Sequence, residues 1–395
     1  MNRNLVRLAG CQGLLLTNNI IFIAINGLIG LSLAPVAWMA TLPVMGYVVG
    51  GALSTPLVAR SQSAWGRQVS FQIGLGVAVL SALLGAYAVW IQSFWLLVGA
   101  TVVAGYYNAN GQLYRFAAAE LTPPESRDKA ISLVLAGGLI GAFVGPLIAT
   151  HTRELTVVPF IGAYLALAVV AVVAMLLMAG IRFPVVPRPA AGSDRGRPLA
   201  QIMRQPVFIV STMGAAFGYG VMNLLMAATP LAMQVCSLPF EDAALVLQWH
   251  VIGMYAPGFF TGHLIRRFGS LPIMAVGVLL NALCIAIALS GVELQQFVIA
   301  LFVLGVGWNF LFTGSTSLAL KSWAAEEKDR VQGAINFCVF SVMALTSFAS
   351  GALLTTQGWQ WLNIGSLLPV AVTGLAVAWL LLRERRGQVA VAAQP

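Results

Sequence analysis

Apolar runs of roughly twenty residues, almost free of charge, recur along the whole chain and constrain its fold more than any other feature. A helix rises 1.5 Å per residue, so about 20 apolar residues match the hydrocarbon thickness of a bilayer. Bounded by charge, Pro or Gly, the runs predict helical spans near 9–32, 35–58, 69–91, 94–118, 129–150 and 157–180. Six more follow near 206–234, 243–265, 270–290, 294–320, 330–355 and 361–382; we number them spans 1 to 12. Composition agrees, with 59% hydrophobic and 8% charged residues over 395 positions, against about 25% charged in soluble chains. The expected fold class is therefore all-α integral membrane. It comprises a six-helix bundle over 1–180, a Pro- and Arg-rich linker over 181–205, a second bundle over 206–386 and a flexible tail over 387–395.

A net charge of +9 would suggest nucleic acid for a soluble protein. Here the basic residues sit in short loops between apolar runs, so topology accounts for them and no nucleic-acid partner is expected. Lys and Arg favour cytoplasmic loops. Nineteen of the 21 fall in segments on the N-terminal side, Arg153 alone falls in the opposite loops, and Arg115 lies inside span 4. This asymmetry puts both termini in the cytoplasm and requires an even number of spans. Trp38, Trp90, Trp95, Trp359 and Trp361 fall at the expected outer ends, as an interfacial aromatic belt would. The basic start, Arg3 to Arg7, leads into span 1 with no small-residue cleavage site after it, which predicts a retained helix. Cys11, Cys236, Cys284 and Cys338 match no metal or redox spacing and read as structural thiols.

A shift of 203 residues superimposes basic loops of the two halves: Gly66 falls on Gly269, and Arg127-Asp128-Lys129-Ala130 on Arg330-Val331-Gln332-Gly333. Parallel half-repeats with a solute site between them, near the bilayer midplane, are a transporter architecture. Gly262-His263-Leu264-Ile265-Arg266-Arg267-Phe268-Gly269 resembles the Gly-x-Leu-Ala-Asp-Arg-x-Gly loop of the major facilitator superfamily, with arginine in the aspartate position. The first copy is more degenerate, Arg60 preceding Trp65-Gly66-Arg67-Gln68, again without aspartate. The resemblance implies a cytoplasmic gating role for Arg60, Gly66, Arg67, Arg127, Arg266, Arg267, Gly269 and Arg330. Glu120 to Arg127 resembles the family's connection between helices 4 and 5. Gly137, Gly141 and Gly145-Pro146 are similar to the motif of its drug antiporters, although the same spacing signals close helix packing. Gln248 to Pro257 and Gly307 to Phe312 resemble a bacterial subgroup near uptake permeases for riboflavin or siderophores.

Ionisable groups at membrane depth are costly and mark function by default. All twelve acids fall in loops or at span ends, which argues against the buried carboxylate of cation efflux. His250 lies about 12 Å into span 8 and is the proton-coupling candidate, with hydrogen-bonded packing as its other reading. Arg115 suits either contact with an anionic solute or pairing near the cytoplasmic end. Asn18, Asn19, Asn26, Tyr107, Asn108, Asn110, Tyr219, Asn223, Trp308, Asn309 and Asn336 supply amides and ring faces for a substrate cavity. Interhelical hydrogen bonding is the rival use of any single Asn. Spans 1, 4, 7 and 10 line the cavity by resemblance to the superfamily. The expectation is a secondary transporter in a bacterial inner membrane, working by alternating access. Its cargo is a neutral or weakly anionic, hydrogen-bonding organic solute taken up with protons; the alternative is an efflux pump of the same fold. No enzyme activity, cofactor or metal is expected, and the partners are the solute, membrane lipid and protons, with the protein acting as a monomer.

Overall fold

The structure, a computed structural model, describes residues 3–123, 130, 133, 134, 136–184, 196–324 and 327–392. Every regular element among them is a helix, as a chain immersed in lipid requires when it cannot leave backbone groups to water. The first half contains α1 (Arg3–Leu33), α2 (Leu42–Trp90), α3 (Phe94–Gly111), α4 (Tyr114–Glu120), α5 (Gly138–Thr152) and α6 (Ile161–Ala179). After the short α7 (Leu199–Met203) come α8 (Pro206–Val235), α9 (Phe240–Tyr255), α10 (Gly258–Phe268), α11 (Ser270–Ser290), α12 (Leu294–Ala319) and α13 (Lys328–Ala392). Nine helical stretches among the described residues are long and apolar enough to cross a bilayer, and Gly138–Thr152 is a shorter apolar helix.

Predicted spans 2 and 3 both fall within α2 and part at Gly66, whose backbone is not helical. Predicted spans 11 and 12 both fall within α13, which parts at Gly358, whose backbone is not helical, and runs to Ala392. Predicted span 4 divides at Gln112 and Leu113 into α3 and α4. Span 8 divides near Pro257, whose ring cannot sit inside an unbroken helical ladder, into α9 and α10.

Gly66 adopts φ 78, ψ 174, and Gly269, 203 residues later, adopts φ 90, ψ 162. Only glycine enters this backbone region without strain. No atom lies within 4 Å of a Cβ built on Gly66, so conformation and not space requires glycine there. The equivalence extends to helix packing. A Cβ on Gly50 would meet the Val102 carbonyl oxygen at 2.0 Å, and one on Gly253, again 203 residues on, the Phe302 carbonyl oxygen at 2.5 Å. In both halves a glycine lets two helix backbones touch.

Contacts that join the halves gather at the end of the bundle carrying Trp38 and Arg153. Thr41 Oγ1 accepts the Gly351 N–H at 2.9 Å, and the Trp38 ring meets Phe348 edge-on at 5.7 Å. The Arg153 guanidinium lies over Phe160 at 5.5 Å and over Phe240, in the other half, at 4.9 Å. At the opposite end Arg67 pairs with Glu120 inside the first half at 2.5 Å, and Arg197 of the linker pairs with Glu327 of the second half at 2.7 Å. Of the predicted belt, Trp90, Trp95 and Trp361 are well exposed, whereas Trp359 is buried and donates its indole N–H to the Ala288 carbonyl at 3.1 Å.

Candidate functional site

Between the halves, near the middle of the helices, the structure gathers two side-chain groups. From the first half, Asn19 on α1 accepts the Tyr47 hydroxyl from α2, and Phe22, one turn along α1, lies 4.4 Å from the Tyr47 ring. From the second half, Tyr219 on α8 stands edge-on to Trp308 at 5.3 Å and to Phe312 at 5.4 Å, both on α12. Trp308 and Phe312 stack at 5.2 Å with 11° between their planes; their spacing of four puts them on one helix face. Tyr255, ending α9, approaches Trp308 at 6.1 Å.

The groups face each other. Phe22, Tyr47 and Trp308 belong to one buried cluster, against which Tyr219, Tyr255 and Phe312 pack. Tyr255 packs with Ile20 of α1 and Ala142 of α5. Tyr219, Tyr255 and Phe312 are partly exposed, while Trp308 behind them is buried and its Nε1 has no hydrogen-bond partner among the described residues. Beside this chamber, inside the first half, lies a small cavity of about 10 Å³ lined by Asn18, Ser81, Thr101, Tyr107 and Tyr164, room for about one water.

Most of the other amides are occupied within their own half. Asn26 donates to the Phe22 carbonyl at 2.9 Å and accepts the Tyr164 hydroxyl at 2.7 Å, joining α1 to α6. Asn110 donates to the Ser70 carbonyl at 3.0 Å, joining α3 to α2. Asn223 Nδ2 lies 2.7 Å from Ser347 Oγ, 3.1 Å from Thr346 Oγ1 and 3.1 Å from the Met343 carbonyl, tying α8 to α13; an amide has two N–H bonds, so two of the three are used at once. Asn309 donates to the Met254 carbonyl at 2.7 Å and accepts from Thr261 at 2.7 Å, bracing α12 against α9 and α10. Asn108 accepts from Gln112 at 3.4 Å, and Asn336 is exposed on α13. Arg115 belongs to α4, but its side chain lies outside the described residues, as do Arg127 and the side chain of Arg330.

His250 is fully buried on α9. Its Nδ1 lies 2.6 Å from the Leu301 carbonyl of α12, so Nδ1 carries the hydrogen. Nε2, then a bare lone pair, has no partner among the described residues. Among those residues no group of three or more His, Cys, Asp or Glu could hold a metal.

The loop residues form two anchors. Arg67 holds Glu120 through Nε at 3.1 Å and Nη2 at 2.5 Å, and also donates to Gln62. Arg60, Arg266 and Arg267 are exposed, with Arg267 over Phe268 at 5.3 Å. The second anchor was not singled out from sequence. Glu327 accepts the Arg197 backbone N–H at 2.7 Å, its Nε at 2.9 Å and the Ala324 N–H at 2.9 Å. Hydrogen bonding from the Arg197 guanidinium, then from Ala324, holds the Glu327 carboxyl down from its ordinary 4.5 to about 2. Sequence reasoning also passed over Phe22, Tyr47, Tyr255 and Phe312. The signal for Phe312 was its spacing from Trp308; Tyr47 and Tyr255 lay outside the spans the family resemblance pointed to.

Apolar helices long enough to cross a bilayer, with aromatic rings and amides clustered at mid-length, are the build of a membrane transporter. The chain belongs to the Major Facilitator Superfamily, whose family model matches residues 8–346 and 250–395, and it is a transporter and not an enzyme. It is 37% identical over 385 residues, 96% of each chain, to the riboflavin transporter RfnT of Brucella anthropi. It is 27% identical over 334 residues to the uncharacterized MFS-type transporter YdeG of Bacillus subtilis, covering 80% of this chain and 76% of that one. Among solved structures, the POT family transporter PepTSo superimposes with a TM-score of 0.75 at 10% identity, covering 98% and 99% of the two chains. A bacterial homologue of the lysosomal transporter Spinster, inward-facing and unoccupied, gives 0.70 at 13% identity, covering 95% and 96%. These two likenesses concern the fold alone.

Proposed function

We propose that this protein takes up riboflavin, or a closely similar ring-bearing solute, across a bacterial inner membrane by alternating access. In this reading the chain crosses twelve times with both termini cytoplasmic, acts as a monomer, and stands here closed at its outer end. The observation that carries the reading is the cluster in which Tyr47 and Asn19 of one half meet Tyr219, Tyr255 and Trp308 of the other. Stacking faces and hydrogen-bonding groups without net charge suit a neutral or weakly anionic ring compound bearing hydroxyls. The whole-length similarity to a protein named a riboflavin transporter supports the same cargo. Nineteen basic residues in the inside segments against one in the outside loops support the orientation.

Proton coupling belongs to the same proposal, with His250 Nε2 receiving the proton when water reaches it in another conformation. Export would need an observation of its own. The glycines that suggested it seat α5 on α1: a Cβ on Gly141 would lie 2.6 Å from the Thr17 nitrogen, and one on Gly145 2.9 Å from Ile20 Cβ. The test is growth of a riboflavin-requiring bacterium that lacks its own transporter. Expression of this chain is expected to restore growth at low external riboflavin, and continued dependence on high riboflavin would remove the uptake reading.

A further inference from the structure

Trp308 carries a chemical feature that packing alone does not explain. A buried donor without an acceptor is unfavourable, and native structures leave few of them. Among the described residues the indole N–H finds no acceptor, at a site where three further rings converge and two tyrosines, Tyr219 and Tyr255, are partly exposed. Aromatic faces are electron-rich and edges electron-poor. A box of such faces therefore favours an electron-poor planar ring, and an unmatched N–H favours a ring with a carbonyl or nitrogen acceptor at its edge. Across from it, partly exposed Asn19 holds the hydroxyl of buried Tyr47 through its oxygen and keeps its amide N–H donors for a polar chain.

We infer that the solute binds with its ring in the second half, between Tyr219, Tyr255 and Trp308, its edge acceptor taking the Trp308 N–H, and with its polar chain toward Asn19 and Tyr47. The inference rests on the transporter reading above and deepens it: the cargo is an electron-poor heteroaromatic ring, and Trp308 sets its specificity. Affinity then resides in the ring, and the chain contributes little.

The test is calorimetric binding to the purified full-length protein, using riboflavin, lumichrome (the ring without the chain) and ribitol (the chain without the ring). Riboflavin and lumichrome are expected to bind within about tenfold of each other and ribitol not to bind, since ring stacking contributes more than the hydroxyls of the chain, which give up water to bind. W308F keeps a stacking face but removes the N–H, so both rings should bind about tenfold more weakly. Y219L, at a partly exposed wall, should also weaken both and serves if W308F is not monodisperse. Ribitol binding as tightly as riboflavin, or wild-type ring affinity in W308F, or in Y219L where that variant stands in, overturns the inference. If neither flavin binds, a pterin becomes the probe. Pterin binding weakened by W308F, or by Y219L where that variant stands in, sustains the ring site while retiring riboflavin; no ring compound binding at all overturns both.

Discussion

Replacing Arg153 with glutamine should loosen the end of the bundle at which the halves touch. Phe160 belongs to the same half as Arg153, so the contact at 5.5 Å survives when the halves part, as does the approach to Glu154 at 3.8 Å. Only the pairing with Phe240, at 4.9 Å, is broken. One cation–π pair contributes about 0.5–1 kcal/mol at an exposed site and about 2 kcal/mol when desolvated. The Arg153 side chain is 30% exposed, which places this pair near about 1 kcal/mol. Losing it shifts the ratio of closed to open molecules about fivefold toward opening at that end. Spin labels introduced by V157C and Q295C, on opposite halves at that end, report the separation by pulsed dipolar spectroscopy. The native cysteines are first replaced. R153Q should populate a longer distance, and F240L should produce a similar shift that R153Q does not extend. An unchanged distribution in R153Q, or fully additive shifts in the double variant, would refute the reasoning.

Three further outcomes follow from the packing and charge geometry. A Cβ on Gly105 would lie 2.3 Å from the Gly50 carbonyl carbon and the Gly51 nitrogen, so G105A should destabilise by about 1–3 kcal/mol. G99A, in open space on the same helix, should not, and thermal unfolding in detergent distinguishes them. The Glu327 carboxyl is depressed, so its contribution is full above its ordinary 4.5 and is lost as pH falls through about 2. The melting difference between wild type and E327Q should accordingly hold at pH 7 and shrink from about pH 4.5 downward; a difference independent of pH contradicts the anchor. H250Q preserves a donor toward the Leu301 carbonyl and abolishes titration. It should retain exchange of internal for external riboflavin while losing stimulation by an inward proton gradient, and stimulation equal to wild type would exclude His250 as the coupling site.

Much of the fold was legible because lipid permits few solutions. The apolar runs located the helices, and the equivalence of Gly66 and Gly269 emerges as a shared backbone conformation that only glycine adopts freely. Boundaries were less legible. Gly66 and Gly358 break the helix with no loop between the flanking helices, and Pro257 divides a run whose hydropathy is continuous. Ring chemistry singled out Tyr219 and Trp308, which pack edge-on against each other, but an asparagine's type does not reveal which carbonyl it will meet. Asn26, Asn110, Asn223 and Asn309 each found partners in their own half. The Arg197–Glu327 anchor joins residues 130 positions apart, with no local pattern to announce it.

Transport itself is the central claim, and radiolabelled riboflavin uptake into proteoliposomes holding the purified protein tests it most directly. Saturable uptake is expected, faster with an inward proton gradient and suppressed by excess unlabelled riboflavin. Uptake no greater than in protein-free liposomes, in preparations where the protein is folded and riboflavin does not bind it, would show that the chain does not carry riboflavin.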